Sequence, residues 1–232
     1  MKKTALLVLA LLFLSLSLTA EEPAPVKDTL TSRTMESLFP VEKGLRWKYQ
    51  RNSPEGLSYY VTDSFGSIQF KGDTYHLIGN PRKVSYYLVT PEIISTPATA
   101  ESVEDSKPVF YEGDPMVRLR MPLEKGNRWM GAYRLDEGGR AVYSAYITEI
   151  FGREKITVPL GTYDTLVTSS TLNTMFYDRA KGEGKGNRTL EHIWYAPGLG
   201  IVRRQTSFEQ PEGDYLLYRD DQLVEFTKPP AK

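Results

Sequence analysis

One sequence motif occurs twice in the chain, and this repeat constrains the fold more than any other feature. FPVEKGLRWKY occupies residues 39–49 and MPLEKGNRWMGAY occupies residues 121–133, with Pro, Glu-Lys-Gly, Arg and Trp each recurring 82 positions later. Weaker matches follow in the same order, such as TDSFG at 62–66 against TEIFG at 148–152. Self-similarity at one fixed period is typical of tandem structural units. The sequence therefore predicts two copies of one β-meander.

Strand-forming runs and turn sequences alternate along the whole chain. Runs rich in Tyr, Val, Ile, Thr and Phe are separated by RNSPEG, FKGD, DEGG and APGLG, and helical periodicity is almost absent. Connections this short cannot form parallel crossovers. Pro197 and Gly198 suit a type II turn. We predict an all-β fold, a mostly antiparallel curved sheet or open barrel built from the two tandem repeats.

The first twenty residues have the three parts of an export signal. Lys2 and Lys3 precede an apolar run, and Ala20 offers a small residue for cleavage. An uncleaved membrane anchor remains the alternative, because about twenty apolar residues span a bilayer. We predict a bacterial protein that is periplasmic or secreted, with no transmembrane span after cleavage. The predicted divisions are a signal peptide (1–20), a disordered leader (21–36), two β repeats (37–120 and 121–206) expected to form one structural unit, a closing hairpin (207–227) and a tail (228–232).

Composition excludes several classes of function. The chain has no cysteine, which excludes disulfides, thiolate metal sites, a Cys nucleophile and a lipid-modified Cys. Without Lys2 and Lys3, 27 basic residues stand against 29 acidic residues, so the charge gives no reason to expect nucleic acid as a partner. We predict no cofactor and no metal site, since no ligand spacing typical of zinc or calcium occurs.

The repeated tryptophans are predicted to lie in the core. Because side chains alternate along a strand, Trp47 and Tyr49 share one face, and Trp129 and Tyr133 share one face in the second copy. A stacking surface for a sugar or a base is the alternative, and it would require exposed rings. An aromatic stripe flanked by charged neighbours is more typical of a core strand.

Four stretches together resemble a known family. FPVEKGLRWKY, MPLEKGNRW, ITVPLGTYDTLVT (156–168) and WYAPGLGIVRR (194–204) resemble a family of uncharacterised exported bacterial proteins, a domain of unknown function, with Val41 and Leu160 as mild departures. The resemblance implies a β-rich extracytoplasmic protein, often membrane-tethered in relatives, without an established activity or catalytic residues. The motif residues, expected to be structural, are Pro40, Gly44, Trp47, Tyr49, Pro122, Gly126, Trp129, Pro159, Gly161, Trp194, Tyr195, Pro197, Gly198 and Gly200.

Few residues are candidates for catalysis or ligand binding. His76 and His192 would serve as catalytic residues only if the protein is an enzyme, each with a carboxylate partner, and a hydrogen-bonded structural histidine is the usual alternative. KGEGKGN (181–187) lacks the order of a phosphate-binding loop and predicts a flexible hairpin loop. Residues 90–108 predict a long mobile connection, the kind of segment that often binds partners.

These observations favour a non-enzymatic role. The sequence predicts an exported binding or scaffold protein of the cell envelope, whose partner is an unknown protein or a small apolar ligand. Two alternatives stay open. One is an extracytoplasmic hydrolase that uses His192 or His76, and the other is a carrier for an apolar ligand, which needs a concave apolar face.

Overall fold

The computed structural model describes residues 35–104, 107–137, 140–178 and 180–230, and nearly all of them form strands. The predicted signal peptide and most of the predicted leader lie outside these residues. One short helix, α1 (Met35–Leu38), comes first. The strands that follow are β1 (Arg46–Ser53), β2 (Gly56–Phe70), β3 (Asp73–Asn80), β4 (Lys83–Val89), β5 (Ile93–Ala100), β6 (Val109–Phe110), β7 (Glu112–Gly113), β8 (Met116–Arg120), β9 (Arg128–Glu137), β10 (Arg140–Val158), β11 (Gly161–Asp178), β12 (Glu183–Ala196), β13 (Gly200–Glu209) and β14 (Tyr215–Thr227).

Tight glycine-containing turns connect the strands, as the turn sequences predict. Lys71 and Gly72, between β2 and β3, have φ values of 53° and 92°, the backbone of a two-residue type I′ hairpin turn. Gly198 has a φ value of 76°, and the N–H of Leu199 donates to the carbonyl of Ala196 over 3.2 Å. That arrangement matches a type II turn. Such connections require consecutive strands to pair antiparallel.

The strands of the described chain belong to one antiparallel sheet that curls into a nearly closed barrel. Its order is β6-β5-β4-β3-β2-β1-β14-β13-β12-β11-β10-β9-β7, and β8 pairs with β5. β14 therefore lies between β1 and β13 and joins the first half of the chain to the second. The predicted all-β, mostly antiparallel fold is confirmed.

The segment between β6 and β9 links the two edges of the sheet. β8 pairs with β5, β7 pairs with β9, and only Asp114 and Pro115 separate β7 from β8. The N–H of Asp114 donates to the carbonyl of Ala132 over 2.9 Å. The Tyr146 hydroxyl donates to the carbonyl of Pro115 over 2.7 Å and accepts from the N–H of Val117 over 3.0 Å. These bonds hold the barrel nearly shut.

Two hydrophobic clusters lie on opposite faces of part of the sheet. The larger cluster fills the inner face and contains Trp47 and Trp129. Alternation along β3 places Ile78 in this cluster and Leu77 in a smaller one, where Leu77 packs with Tyr86 of β4. β3 and β4 therefore bury side chains on both faces.

Both halves of the chain begin with the same backbone hydrogen bonds. The N–H of Gly44 donates to the carbonyl of Ser64 over 2.8 Å, and the N–H of Gly126 donates to the carbonyl of Ile150 over 2.9 Å. In each half the acceptor residue donates in return to the residue after the glycine, over 2.9 Å. Both glycines have positive φ values, 90° and 87°. These matches support equivalent strand-turn-strand units, while the equivalence of the complete halves stays a prediction.

The predicted long connection, residues 90–108, contains strand β5 over residues 93–100, so it is not one continuous loop. Within them β5 pairs with β4, β6 and β8, and Ser95, Thr96 and Ala98 are buried. After Ile93 and Ile94, β5 contains only Ser, Thr, Pro and Ala, and consecutive residues are buried, so the strand shows no hydrophobic alternation. Pro97 lies between the pairings with β8 and β6, where a missing N–H is tolerated.

Several predicted boundaries fall inside elements. α1 begins at Met35, so the predicted leader (21–36) includes two helical residues, and Met35 is buried. The boundary at residue 206 lies within β13. β12 begins at Glu183, so most of the KGEGKGN segment is a strand because it pairs with β11, and only the turn before it is a loop. Among the described residues, no helix has the length and apolar character needed to cross a bilayer.

Candidate ligand-binding cavity

A cavity of about 160 Å³ lies on the inner faces of β1 to β4, beside the start of β13 and the residues that follow α1. A buried apolar cavity of roughly 150 Å³ is large enough for a benzene-sized ligand. Aromatic rings form much of its lining, together with one guanidinium group. The residues that matter most for its chemistry are Phe39, Trp47, Tyr49, Tyr60, Tyr87 and Arg204.

Two hydrogen bonds fix the rings that β1 presents to the cavity. The indole N–H of Trp47 donates to the carbonyl of Leu199 over 2.6 Å, and the Tyr49 hydroxyl donates to the carbonyl of Ile201 over 2.8 Å. Between these acceptors, Gly200 has a φ value of 81°, and a Cβ there would lie 3.3 Å from Pro40. The β12–β13 turn therefore packs closely on the motif residues of β1, as the core interpretation requires.

Paired aromatic rings form the remaining walls. Tyr60 of β2 stacks on Tyr49 with 5.2 Å between ring centroids, and Phe39 packs against Tyr87 at 4.7 Å. Burial raises the pKa of Tyr60 to about 12, and the neighbouring Asp221 carboxylate adds to the effect. Tyr60 therefore remains a neutral hydrogen-bond donor at neutral pH, and its hydroxyl donates to Asp221 over 2.9 Å.

Asp221 is a buried carboxylate beside the cavity. Its side chain is 1% exposed. Arg51, directly opposite it on β1, donates to both carboxylate oxygens, over 2.8 and 3.2 Å. Arg219 lies 3.3 Å from the same carboxylate, at ion-pair distance. Buried charges persist only when they are paired and hydrogen-bonded, and Asp221 meets both conditions.

Glu191 forms a second ion-pair centre on the inner face. Arg118 of β8 donates to Glu191 over 3.2 Å, and the Nε atom of Arg204 lies 3.5 Å from it. Arg118 reaches Glu191 from a strand that is distant from β12 along the sheet, so the pair spans the barrel interior. We name the six residues of the two centres the inner charge cluster: Arg51, Arg118, Glu191, Arg204, Arg219 and Asp221.

The inner charge cluster contains more positive than negative groups. Four guanidinium groups share two carboxylates. The Nε atoms of Arg204 and Arg219 are buried and have no hydrogen-bond partner among the described residues. Burial lowers the pKa of Arg219 despite the attraction of Asp221. The cluster therefore has the capacity to accept a further anion.

The two candidate histidines lie far apart in the sheet, in β3 and β12, with four strands between them. Burial lowers the pKa of both, partly opposed by Glu36 for His76 and by Glu154 and Glu191 for His192. Among the residues that the structure covers, neither imidazole has a hydrogen bond or ion pair to a carboxylate. His192 instead contacts aromatic rings. The part of the chain that the structure describes therefore contains no hydrogen-bonded histidine–carboxylate pair of the kind that the hydrolase alternative needs.

A side chain fills the space beside the second copy of the motif, whereas the first copy borders the cavity. Trp129 is buried, and its indole N–H donates to the carbonyl of Val117 over 3.0 Å. Gly131 holds the position that Tyr49 holds in the first copy, 82 residues earlier. A Cβ on Gly131 would lie 2.6 Å from the Tyr146 hydroxyl, so the Tyr146 ring occupies the space beside the strand.

The remaining motif residues lie in turns, at strand starts or in the core. Within the described ranges, no group of three His, Cys, Asp or Glu side chains is close enough together to hold a metal ion. Trp194 and Tyr195 are buried in β12, and Gly161 is the first residue of β11. The motif residues that lie in the connections between secondary-structure elements are Gly44, Pro122, Gly126, Pro159, Pro197 and Gly198.

Sequence reasoning missed the charged half of this site. The alternation that places Trp47 and Tyr49 on one face of β1 also places Arg51 there, and this was the available signal. Arg204 and Asp221 gave no comparable signal, because their inward direction depends on pairing with strands far away in the chain. Tyr60 was one of fifteen tyrosines without a distinguishing pattern.

Solved structures provide the comparison with known proteins. The chain is similar to a "putative exported protein with YmcC-like fold" from Bacteroides fragilis, at 15% identity and a TM-score of 0.52, over 82% of this chain and 98% of that one. It is also similar to a "putative lipoprotein" from Parabacteroides distasonis, at 15% identity and a TM-score of 0.50, over 84% and 99%. At this identity the similarity shows a shared fold alone. No protein-family model and no curated protein matches the chain.

Proposed function

We propose that this protein is exported to the bacterial cell envelope and binds a small, largely apolar ligand without transforming it. The observation that carries the proposal is the aromatic cavity. Five aromatic residues contribute to its walls, and the indole N–H of Trp47 and the hydroxyls of Tyr49 and Tyr60 already have protein partners. Small-molecule sites are typically concave and mostly apolar, with few polar groups.

Three lines of support favour export. Residues 1–20 have the composition of a signal peptide, with cleavage proposed after Ala20. The Bacteroides and Parabacteroides proteins that share the fold are described as an exported protein and a lipoprotein. The family resemblance of the Trp and Trp-Tyr-Ala-Pro-Gly motifs points the same way. Together they favour the periplasm or the extracellular space as the place of action.

A binding role fits the described residues better than the alternatives. A hydrolase would require a nucleophile or base with an orienting partner, and within the described part of the chain His76 and His192 make no hydrogen bond to a carboxylate. A pure scaffold would have no use for a cavity, since interiors are normally packed with few voids larger than water. The cavity therefore favours ligand binding over the scaffold role.

Filling the cavity tests the proposal. Ser85 of β4 lines the cavity, and Ser85→Leu should occupy part of the cavity volume. Ser58→Leu, at an exposed position of β2 outside the cavity, is the matched control. Calorimetric titration with benzyl alcohol should show saturable binding to wild type and Ser58→Leu, and at least a ~10-fold loss in Ser85→Leu. Native mass spectrometry of protein recovered from the periplasm would identify a retained ligand.

Two results would overturn the binding role. One is wild-type protein that binds no benzyl alcohol and retains no small molecule after native export. The other is a Ser85→Leu variant that melts like wild type and binds benzyl alcohol equally well.

A further inference from the structure

We infer that the ligand is a small anion, such as an aromatic carboxylate, whose apolar body fills the cavity while its charged group pairs with Arg204. This inference rests on the proposed function and adds the chemical class of the ligand. Arg204 is the one charged residue that lines the cavity among the described residues. Its side chain is 26% exposed, so its charge is largely removed from water.

Donor groups without a hydrogen bond indicate the place for the charged group. The Nε atom of Arg204 is buried without a hydrogen bond, and its nearest anion, Glu191, is shared with Arg118. The hydroxyl of Tyr195 is also buried without a partner, and Tyr195 interacts electrostatically with both arginines. Buried polar groups in native proteins are nearly always hydrogen-bonded, so Arg204, which lines the cavity, and the nearby Tyr195 hydroxyl have room for a further acceptor.

Charge balance gives the sign of the ligand. The inner charge cluster has four guanidinium groups and two carboxylates, so it carries a net charge of about +2 if all six groups are ionised. An uncompensated charge in a partly buried site is unfavourable, and an added anion would reduce the imbalance. A cationic ligand would increase it. A neutral ligand could accept hydrogen bonds there but would leave the charge imbalance unchanged.

The walls give the shape of the ligand. Trp47, Tyr49 and Tyr60 present ring faces because their polar atoms already bond to Leu199, Ile201 and Asp221. A flat ring or a branched aliphatic group suits such a space, and the volume of about 160 Å³ limits its size. Planar guanidinium groups match carboxylates in geometry. The combination describes an aromatic or branched-chain carboxylate of few atoms.

Benzoate and benzamide provide a probe pair of equal size that differs in charge. Calorimetric titration, with Trp fluorescence as a second readout, should show benzoate binding wild type roughly 10-fold to 100-fold more tightly than benzamide, because a charged hydrogen bond is stronger than a neutral one. Arg204→Gln should remove this preference while retaining benzamide binding. Arg204→Lys should restore part of it, since the charge returns without the planar geometry.

Glu191→Gln gives an independent test with the opposite sign. Removing this competing anion should strengthen benzoate binding and leave benzamide binding unchanged, and the titrations are run below the melting temperature of the variant, which is lowered because Arg118 and Arg204 lose their carboxylate. Equal binding of benzoate and benzamide to wild type would overturn the anion inference but leave the cavity as a ligand site. Failure of both probes, together with benzyl alcohol, would instead refute the proposed function itself.

Discussion

Replacing Asp221 by Asn should destabilise the protein strongly, because Asp221 neutralises the arginines around it. The carboxylate is 1% exposed and accepts two hydrogen bonds from Arg51 and one from Tyr60, with Arg219 at 3.3 Å. Asn keeps the shape but removes the charge, and it turns an NH₂ donor toward donors of Arg51 or Tyr60. Arg51 and Arg219, which are only partly exposed, then lose the carboxylate with which they pair.

The expected loss of unfolding free energy is that of breaking a buried ion pair. Breaking a buried ion pair by neutralising one partner costs about 3–5 kcal/mol. That is a large part of the roughly 5–15 kcal/mol that stabilises a typical domain. For a domain of this size, about 1 kcal/mol corresponds to roughly 2–4 °C in melting temperature. We therefore expect Asp221→Asn to melt roughly 10 °C or more below wild type.

A matched ion pair on the other face of β1 supplies the control. Arg46 and Asp63 form the same two-bond contact between paired strands, at 2.7 and 3.2 Å, but the Arg46 side chain is 58% exposed. Asp63→Asn should change stability far less, because water solvates the remaining charge. Urea unfolding and thermal melts followed by circular dichroism would measure both variants. Equal losses for Asp221→Asn and Asp63→Asn would refute the argument that burial makes the difference.

Three further predictions concern other parts of the barrel. Burial lowers the pKa of His192 in the folded state. Its contribution to stability is therefore present above about pH 6.5 and is lost as the pH falls through the folded pKa. His192→Gln should flatten the fall in unfolding free energy between about pH 7 and 5. Gly131→Ala should cost about 1–3 kcal/mol by displacing Tyr146, whereas Gly184→Ala, whose Cβ would have its nearest neighbour at 3.7 Å, should be close to neutral in urea unfolding. Trp129→Ala should cost about 3–5 kcal/mol, and a loss below about 1 kcal/mol would contradict its role as a core residue.

The fold could be predicted from local signals because most of its turns are local. Lys71-Gly72 and Pro197-Gly198 encode their turn geometries in neighbouring residues, so the antiparallel connections follow from the sequence. β5 could not be found this way. Its Ser, Thr, Ala and Pro residues are buried because strands from both sides pair with it, and no period within residues 93–100 expresses that environment.

The candidate site was only half predictable for a similar reason. The alternation of side chains along β1 predicts that Trp47 and Tyr49 face inward, and both are buried in the structure. Asp221 follows another acid, Asp220, and nothing local tells which of the two turns inward. The pairing of β14 with β1 decides it, because Arg51 and Asp221 become direct partners across 170 residues of chain.

The position of β14 also dictates when the protein can finish folding. β1 has two neighbours, and one of them, β14, is made last, about 170 residues after its partner. During synthesis β1 can pair only with β2, so it exposes an open edge until residues 215–227 emerge. Joining ends so distant carries a loop-closure cost that slows folding relative to local pairing. The sheet can therefore be completed only after residues 215–227 are made, although the local hairpins can pair earlier.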